Sequence, residues 1–180
     1  MATDRTAVIG FPVDHSLSPI IHNHWIKELG LDTKPYEKIN VDPNKFEEQI
    51  NNLKAEGYGG LNVTVPLKEL AFSISDETSG VSKKLKSVNT LSLNSEKIDG
   101  DNTDVVGFIN SLDEKTIENN IANKKTLVLG AGGSARSVVH ALNEMGGHVR
   151  LFNRTPEKAA ILLNDLSINS SPVSTEELDD

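Results

Sequence analysis

From Lys125 to Arg136 the chain reads Lys-Thr-Leu-Val-Leu-Gly-Ala-Gly-Gly-Ser-Ala-Arg, an apolar strand running into a glycine turn and then a helix. No other stretch restricts the fold as much. A strand–turn–helix of this form aims backbone N–H groups and the positive end of a helix at a pyrophosphate, and it opens a parallel βαβ unit. In Gly130-x-Gly132-x-x-Ala135 the first glycine makes the tight turn and the second lets backbone approach phosphate. Ala135 keeps the third position small for helix–strand packing, and Ala131, Gly133 and Ser134 complete the candidate cradle. A complete doubly wound sheet needs on the order of 100 residues or more, and only 125–180 remain for it here. The expectation is an enzyme whose nucleotide domain is incomplete at its C-terminus, or a protein that uses half of such a domain.

About 20 residues beyond the glycines, a site that prefers NAD places Asp or Glu against the ribose diol. This chain has Asn153-Arg154-Thr155 there, with Lys158 one turn later. A carboxylate would repel a 2′-phosphate, whereas a guanidinium can grip one through two hydrogen bonds. The expected cofactor is NADP, held by Asn153, Arg154, Thr155 and Lys158. Arg136 either reaches the phosphates or faces water.

The composition excludes several other classes. Net charge is −8, a poor basis for nucleic-acid binding, which rests on many phosphate neutralisations. No apolar run approaches the ~20 residues of a membrane span, and no secretory signal precedes the first strand. The absence of cysteine rules out disulfides, thiolate zinc sites and cysteine nucleophiles and fits a reducing, cytoplasmic setting. His22 and His24 are two apart on a helix and share no face. With no carboxylate set to complete a cage, no metal is expected, and the histidines read as core or surface residues.

Punctuation by Pro and Gly divides the chain into two α/β segments, 1–113 and 114–180. In the first, strands are expected at 6–11, 35–41 and 60–65. Helices are expected at 19–29, from Asp42-Pro43 to Gly57, and over about 76–86. A hairpin turning at Asn94-Ser95 joins 88–93 to 97–99, and a helix over 102–112 starts at an Asn102 or Thr103 cap. Residues 114–124 read as a linker or connecting helix. Strand 125–130, helix 133–145, strand 148–152 and helix 156–166 follow. Ser174-Thr-Glu-Glu177 is a capping-box pattern that opens a further helix just before the last residue, as a cut chain would show.

Four clusters in the first segment are polar where strands end and helices begin, which is where α/β sheets bind ligands. They are His15-Ser16-Leu17-Ser18, Asn62-Val63-Thr64-Val65-Pro66-Leu67-Lys68, Val88-Asn89-Thr90 and Gly100-Asp101-Asn102-Thr103-Asp104. Each has a structural reading too: Ser16 and Ser18 as helix caps, Asn62 and Asn89 as loop fasteners, Asp104 as a first-turn carboxylate.

Taken in order with the Asn-Arg-Thr stretch, these clusters resemble the shikimate dehydrogenase family along the whole chain. The resemblance implies an α/β substrate domain with a mixed sheet, followed by the first part of a Rossmann-like NADP-binding domain. It implies the NADP-dependent interconversion of 3-dehydroshikimate and shikimate in aromatic amino-acid biosynthesis. By position, Ser16 and Ser18 correspond to the hydroxyls that bind the substrate carboxylate. Asn62, Thr64, Asn89 and Asp104 correspond to the groups that read the ring hydroxyls, and Lys68 and Asp104 to the catalytic pair, both in reach of substrate. Lys68 either moves the proton itself or stabilises charge beside Asp104 or water.

A quinate/shikimate paralogue resembles the chain over the same segments, but Ser18 and Arg154 differ from the bulkier hydroxyl residue and the acidic residue that quinate and NAD users carry. A non-catalytic shikimate-binding fragment is the rival from another class. The oligomeric state stays open, with a homodimer compatible with the pattern. Without the rest of the nucleotide domain, the edge of its sheet should be exposed and the apolar faces of helices 133–145 and 156–166 only partly covered.

Overall fold

A computed structural model describes residues 5–93 and 96–178. The chain divides into two compact units, Met1–Asn102 and Thr103–Asp180. The sequence boundary at 113/114 lies further along, because helix α5 (Asp104–Asn110) packs on a helix of the second unit.

The first unit carries a six-stranded mixed sheet in the order β2-β1-β3-β5-β6-β4. Its strands are β1 (Arg5–Gly10), β2 (Glu37–Asn40), β3 (Tyr58–Val63), β4 (Glu77–Thr78), β5 (Thr90–Ser92) and β6 (Asp99–Asp101). β1 runs parallel to β2 and β3, β5 runs antiparallel to β3 and β6, and β4 is parallel to β6. Alternation sorts the strand residues between two faces. Ala7, Ile9, Leu61, Val63 and Leu91 join the main core under α2 (Phe46–Ala55), which contributes Ile50. Val8 packs on the other face with Val13, Tyr36 and Ile26 of α1 (Ser18–Glu28).

Local signals set most boundaries. Pro19 stands in the first turn of α1, and Gly30 beyond its end has φ +61°, a conformation that favours glycine. Asp42 accepts a 2.9 Å hydrogen bond from the Asn44 N–H and starts a 3₁₀ turn, Pro43–Lys45, that leads into α2.

Three expectations need correction. The helix expected over about 76–86 is a two-residue strand, β4, followed by α4 (Gly80–Leu85), because Glu77 and Thr78 pair with Asp99 and Gly100. A helix not foreseen, α3 (Lys68–Ile74), precedes it. Asn102 does not cap α5: its side chain is buried and donates a 3.0 Å hydrogen bond to the Ser87 carbonyl. Thr103 occupies the cap position without a side-chain capping bond. The Asn94-Ser95 turn lies outside the described residues.

In the second unit the connecting segment is helical, with α6 (Glu114–Thr116) passing into a π turn at Ile117–Ile121. β7 (Lys125–Leu129) and β8 (His148–Phe152) pair in parallel, joined by α7 (Gly133–Glu144), and α8 (Pro156–Asp165) follows. The helix faces are covered in part: Val139 and Leu142 of α7 and Leu162 and Leu163 of α8 are buried, while Ile161 of α8 is 56% exposed. The sheet exposes apolar surface as well, on β7, where Leu127 and Leu129 are 49% and 69% exposed. The capping box forms reciprocally. The Glu177 carboxylate accepts from the Ser174 N–H at 2.9 Å, and the Ser174 hydroxyl accepts from the Glu177 N–H at 3.3 Å. It encloses a 3₁₀ turn, Glu176–Leu178. Among the described residues no helix is long and apolar enough to cross a membrane.

Candidate functional site

The polar clusters of the first unit meet along one edge of its sheet because the strand directions bring them there. Asn62 near the end of β3 is opposite Thr90 at the start of β5, and Thr90 is opposite Asp101 at the end of β6. The loop after β1 reaches the same edge. The Phe11 N–H donates to the Val65 carbonyl at 3.1 Å, and the Thr64 N–H to the Ile9 carbonyl at 2.9 Å. Gly10 allows this approach, since a Cβ there would stand 2.6 Å from the Thr64 methyl.

Ser16 lies on that loop and Ser18 is the first residue of α1, both half-buried, and the Ser16 hydroxyl accepts from the Ser18 N–H at 3.3 Å. That contact ties the turn that leads into α1, but the cap position itself is Leu17, with no side-chain capping bond, so neither serine caps the helix. Asn40 braces the loop from β2, accepting from the Val13 N–H at 2.8 Å and donating to the Asp14 carboxylate at 3.0 Å.

Lys68 is the first residue of α3 and is buried, at 7% exposure. Lysine is almost never buried without a partner, and the first turn of a helix is the unfavourable end for a cation. The Lys68 carbonyl accepts from the Val88 N–H at 2.9 Å. The Asn89 carbonyl accepts from the Val63 N–H at 2.7 Å, and the Asn89 N–H donates to the Asp101 carbonyl at 2.9 Å. The segment 87–89 is thus fastened to α3, to β3, to β6 and, through Asn102, to the chain leaving β6.

Asn62 is held from two sides. Its Oδ1 accepts from the Tyr36 hydroxyl at 2.7 Å, and its Nδ2 faces the Thr90 hydroxyl at 3.5 Å. Beside it is a cavity of about 240 Å³, lined by Thr6, His22, Tyr36, Asn62, Thr90 and Leu91. Tyr36 went unnoticed in the sequence, where an aromatic at the start of a strand reads as core. Asn102 reads in the sequence as a cap and as part of the run from Gly100 to Asp104. Neither carries a local signal of its tertiary partner.

Asp104, half-buried, is the first residue of α5 and belongs to the second unit. That unit also holds the whole cofactor loop. Gly130 has φ +109°, the left-handed region that favours glycine, and its N–H donates to the Phe152 carbonyl at 2.8 Å. Gly132 occupies the cap position of α7, and a Cβ there would meet open space. Asn153 shapes the loop directly: its Oδ1 accepts from the Ala131 N–H at 3.1 Å, and its Nδ2 donates to the Thr155 carbonyl at 2.8 Å. Arg154, Thr155 and Lys158 are exposed after β8. An open helix N-terminus with two exposed cations and no acidic side chain at 153–155 is a donor set that suits a phosphorylated ribose.

Arg136 does neither of the things expected of it. It is buried and pairs with Asp165 of α8 at 2.9 Å, joining the two helices.

Two family profiles match in succession. Residues 8–91 match the shikimate dehydrogenase substrate binding domain, and 111–180 match shikimate / quinate 5-dehydrogenase. The chain belongs to the shikimate dehydrogenase family. A curated member from Methylocella silvestris, named shikimate dehydrogenase (NADP(+)), is 43% identical over 158 residues, which are 88% of this chain and 56% of that protein. One of the same name from Pelagibacter ubique is 46% identical, covering 84% and 57%. The chain thus spans little more than half the length of these family members. Among solved structures, the shikimate dehydrogenase of Aquifex aeolicus is 38% identical with TM-score 0.85, covering 98% of this chain and 64% of that one. The Thermus thermophilus family enzyme in complex with NADP(H) and shikimate is 35% identical with TM-score 0.77, covering 93% and 62%.

Proposed function

We propose that the protein acts as a shikimate dehydrogenase, catalysing the NADP-dependent, reversible reduction of 3-dehydroshikimate to shikimate in a cytoplasmic setting. The observation that carries the reading is a buried lysine, Lys68, at a sheet edge that also gathers Asn62, Thr64 and Asn89. Family membership supplies the substrate class.

In this reading Ser16 and Ser18 donate their hydroxyls to the substrate carboxylate, and Asn62, Thr64, Asn89 and Asp104 bind the ring hydroxyls. The backbone of residues 130–135 and the N-terminus of α7 hold the cofactor pyrophosphate. Arg154 and Lys158, with Asn153 and Thr155, hold the 2′-phosphate. The chemistry NADPH supplies when bound is a hydride for the ketone carbon. Negative charge then develops on the ketone oxygen, where the Lys68 ammonium stabilises it and gives up a proton to it, leaving a neutral amine that solvent water reprotonates. Asp104 accepts from the hydroxyl that results and orients it. Two serine hydroxyls, one lysine and a helix end serve an anionic substrate and cofactor in a chain of net charge −8.

The test is NADPH formation from shikimate and NADP by the 180-residue chain, alongside calorimetric titration with shikimate alone. The expected result is shikimate binding with turnover well below that of a full-length family member. Absence of both binding and turnover refutes the function, and turnover equal to a full-length member refutes the expected slowness. Lys68→Ala should abolish turnover while shikimate affinity stays within about tenfold, roughly 1.4 kcal/mol. Unchanged turnover would remove Lys68 from the mechanism. A second reading, shikimate binding without turnover, is favoured by the exposed Leu127 and Leu129 of the nucleotide sheet.

A further inference from the structure

Four side chains on the first unit's sheet form a row of hydrogen bonds that all point the same way. The Tyr36 hydroxyl donates to Asn62 Oδ1 at 2.7 Å, Asn62 Nδ2 faces Thr90 Oγ1 at 3.5 Å, and the Thr90 hydroxyl donates to Asn89 Oδ1 at 3.0 Å. An amide can lie either way round, and its two ends differ in shape very little. What decides its direction is whether a neighbour is a donor or an acceptor. A threonine hydroxyl has one hydrogen, so once it donates to Asn89 it meets Asn62 as an acceptor. A protonated tyrosine hydroxyl can donate or accept whereas a phenolate can only accept, so the row in this direction requires that Tyr36 keep its proton.

Tyr36 is well suited to lead this row. It is 5% exposed, and burial pushes its hydroxyl above the usual tyrosine range, so it keeps its proton at any working pH. Its position is fixed by two neighbours on α1. Asn23 of α1 accepts from the Tyr36 N–H at 2.7 Å and donates to the Tyr36 carbonyl at 3.0 Å. The His22 ring stacks on the phenol, with centroids 4.1 Å apart and planes within 10°. Trp25 closes edge-on against His22 at 5.5 Å.

We infer that Tyr36 is a positioning residue whose hydroxyl sets the direction of the Asn62 amide and, through Thr90, that of the Asn89 amide. The functional part of the inference rests on the proposed reading, in which both asparagines bind ring hydroxyls. It adds that their donor and acceptor ends are chosen from behind the site, by a side chain that the role assignments leave out. A polyol ring is distinguished by which hydroxyl donates and which accepts, so a fixed amide direction is a specificity device.

The test is NMR of the 180-residue chain, proton spectra for the tyrosine hydroxyl and nitrogen-15 spectra for the side-chain amides. In the wild type the Tyr36 hydroxyl proton should exchange slowly, and rapid exchange overturns the inference without any variant. In Tyr36→Phe, which keeps the ring and its stack, the side-chain NH₂ signals of Asn62 should move, and those of Asn89 should follow although Tyr36 is two links away. The Asn40 and Asn102 amides, bonded elsewhere, are internal controls and should stay in place. Lower stability with unmoved Asn62 and Asn89 amides would make Tyr36 a packing residue and overturn the inference. If Tyr36→Phe does not fold, Thr90→Val breaks the row at its next link. The Asn89 signals must then shift while the Tyr36 hydroxyl stays protected, and any other result overturns the row.

Shikimate is the ligand probe, and its affinity should fall about tenfold in Tyr36→Phe. A wild-type chain that does not bind shikimate refutes the proposed function instead, and the amide signals still decide the Tyr36 inference.

Discussion

Replacing Asp165 by alanine should damage the second unit more than a change at a helix end ordinarily does. The Asp165 side chain is 11% exposed and that of Arg136 is 7% exposed, with 2.9 Å between Nη1 and Oδ2. Removing one partner of a buried pair leaves the other charge uncompensated, at a cost of about 3–5 kcal/mol. A domain has only about 5–15 kcal/mol in total, so this one change takes a large share. With a urea slope of about 1.5 kcal/mol per molar, a loss of that size should lower the midpoint by roughly 2–3 M. Trp25, Tyr36 and Tyr58 all lie in the first unit, so ring fluorescence reports on the wrong half of the chain. Amide hydrogen exchange along α7 and α8 is the suitable assay. The double replacement Arg136→Met with Asp165→Leu removes both charges and should restore most of the loss, because an apolar pair of similar volume replaces a buried ion pair at little cost. A loss below about 1 kcal/mol in Asp165→Ala would refute the reasoning. Unchanged α7–α8 protection in Arg136→Met together with weakened NADP binding would do so as well, returning Arg136 to the phosphates.

Three further outcomes follow from the geometry. Burial, then the hydrogen bond and charge of Glu37, raise the Tyr58 hydroxyl to about 12; the folded state then keeps a proton that the unfolded chain loses near the usual value of about 10. Stability from this group is therefore complete below pH 10 and declines between pH 10 and 12, a decline that Tyr58→Phe should flatten in alkaline urea titrations. Gly10→Ala should cost about 1–3 kcal/mol by overpacking, since its Cβ would stand 2.6 Å from the Thr64 methyl. Thr64→Ser, which lacks that methyl, should recover the loss in thermal melts, and no recovery would place the strain elsewhere. Arg154→Ser should weaken NADP binding about tenfold with NAD binding unchanged, and equal losses for both cofactors would deny Arg154 a 2′-phosphate role.

The second unit was legible in the sequence because its information is local. A glycine turn between an apolar strand and an amphipathic helix has few other solutions, and β7, α7, β8 and α8 appear within a residue or two of expectation. The first unit was legible only where Pro, Gly or a capping side chain punctuated it. Asp76 and Glu77 look like a helix start, yet the Ile98 N–H binds the Asp76 carboxylate at 2.7 Å and Glu77 pairs with Asp99. That pairing spans more than twenty residues, and no local propensity encodes it. α3 was missed for the complementary reason, since a seven-residue helix starting just past Pro66 is too short to show a period. The site divides along the same line. Residues that would touch a ligand stand in recognisable runs, because ligand chemistry dictates their type. Residues that would hold those groups in place, Tyr36 behind Asn62 and Asn102 behind the 87–89 segment that carries Asn89, are chosen by where the fold happens to bring a donor or an acceptor. Any polar side chain of the right length could have filled such a place, so residue type alone does not betray it. Tyr36 is recognised only when the direction of each hydrogen bond is followed outward from the site.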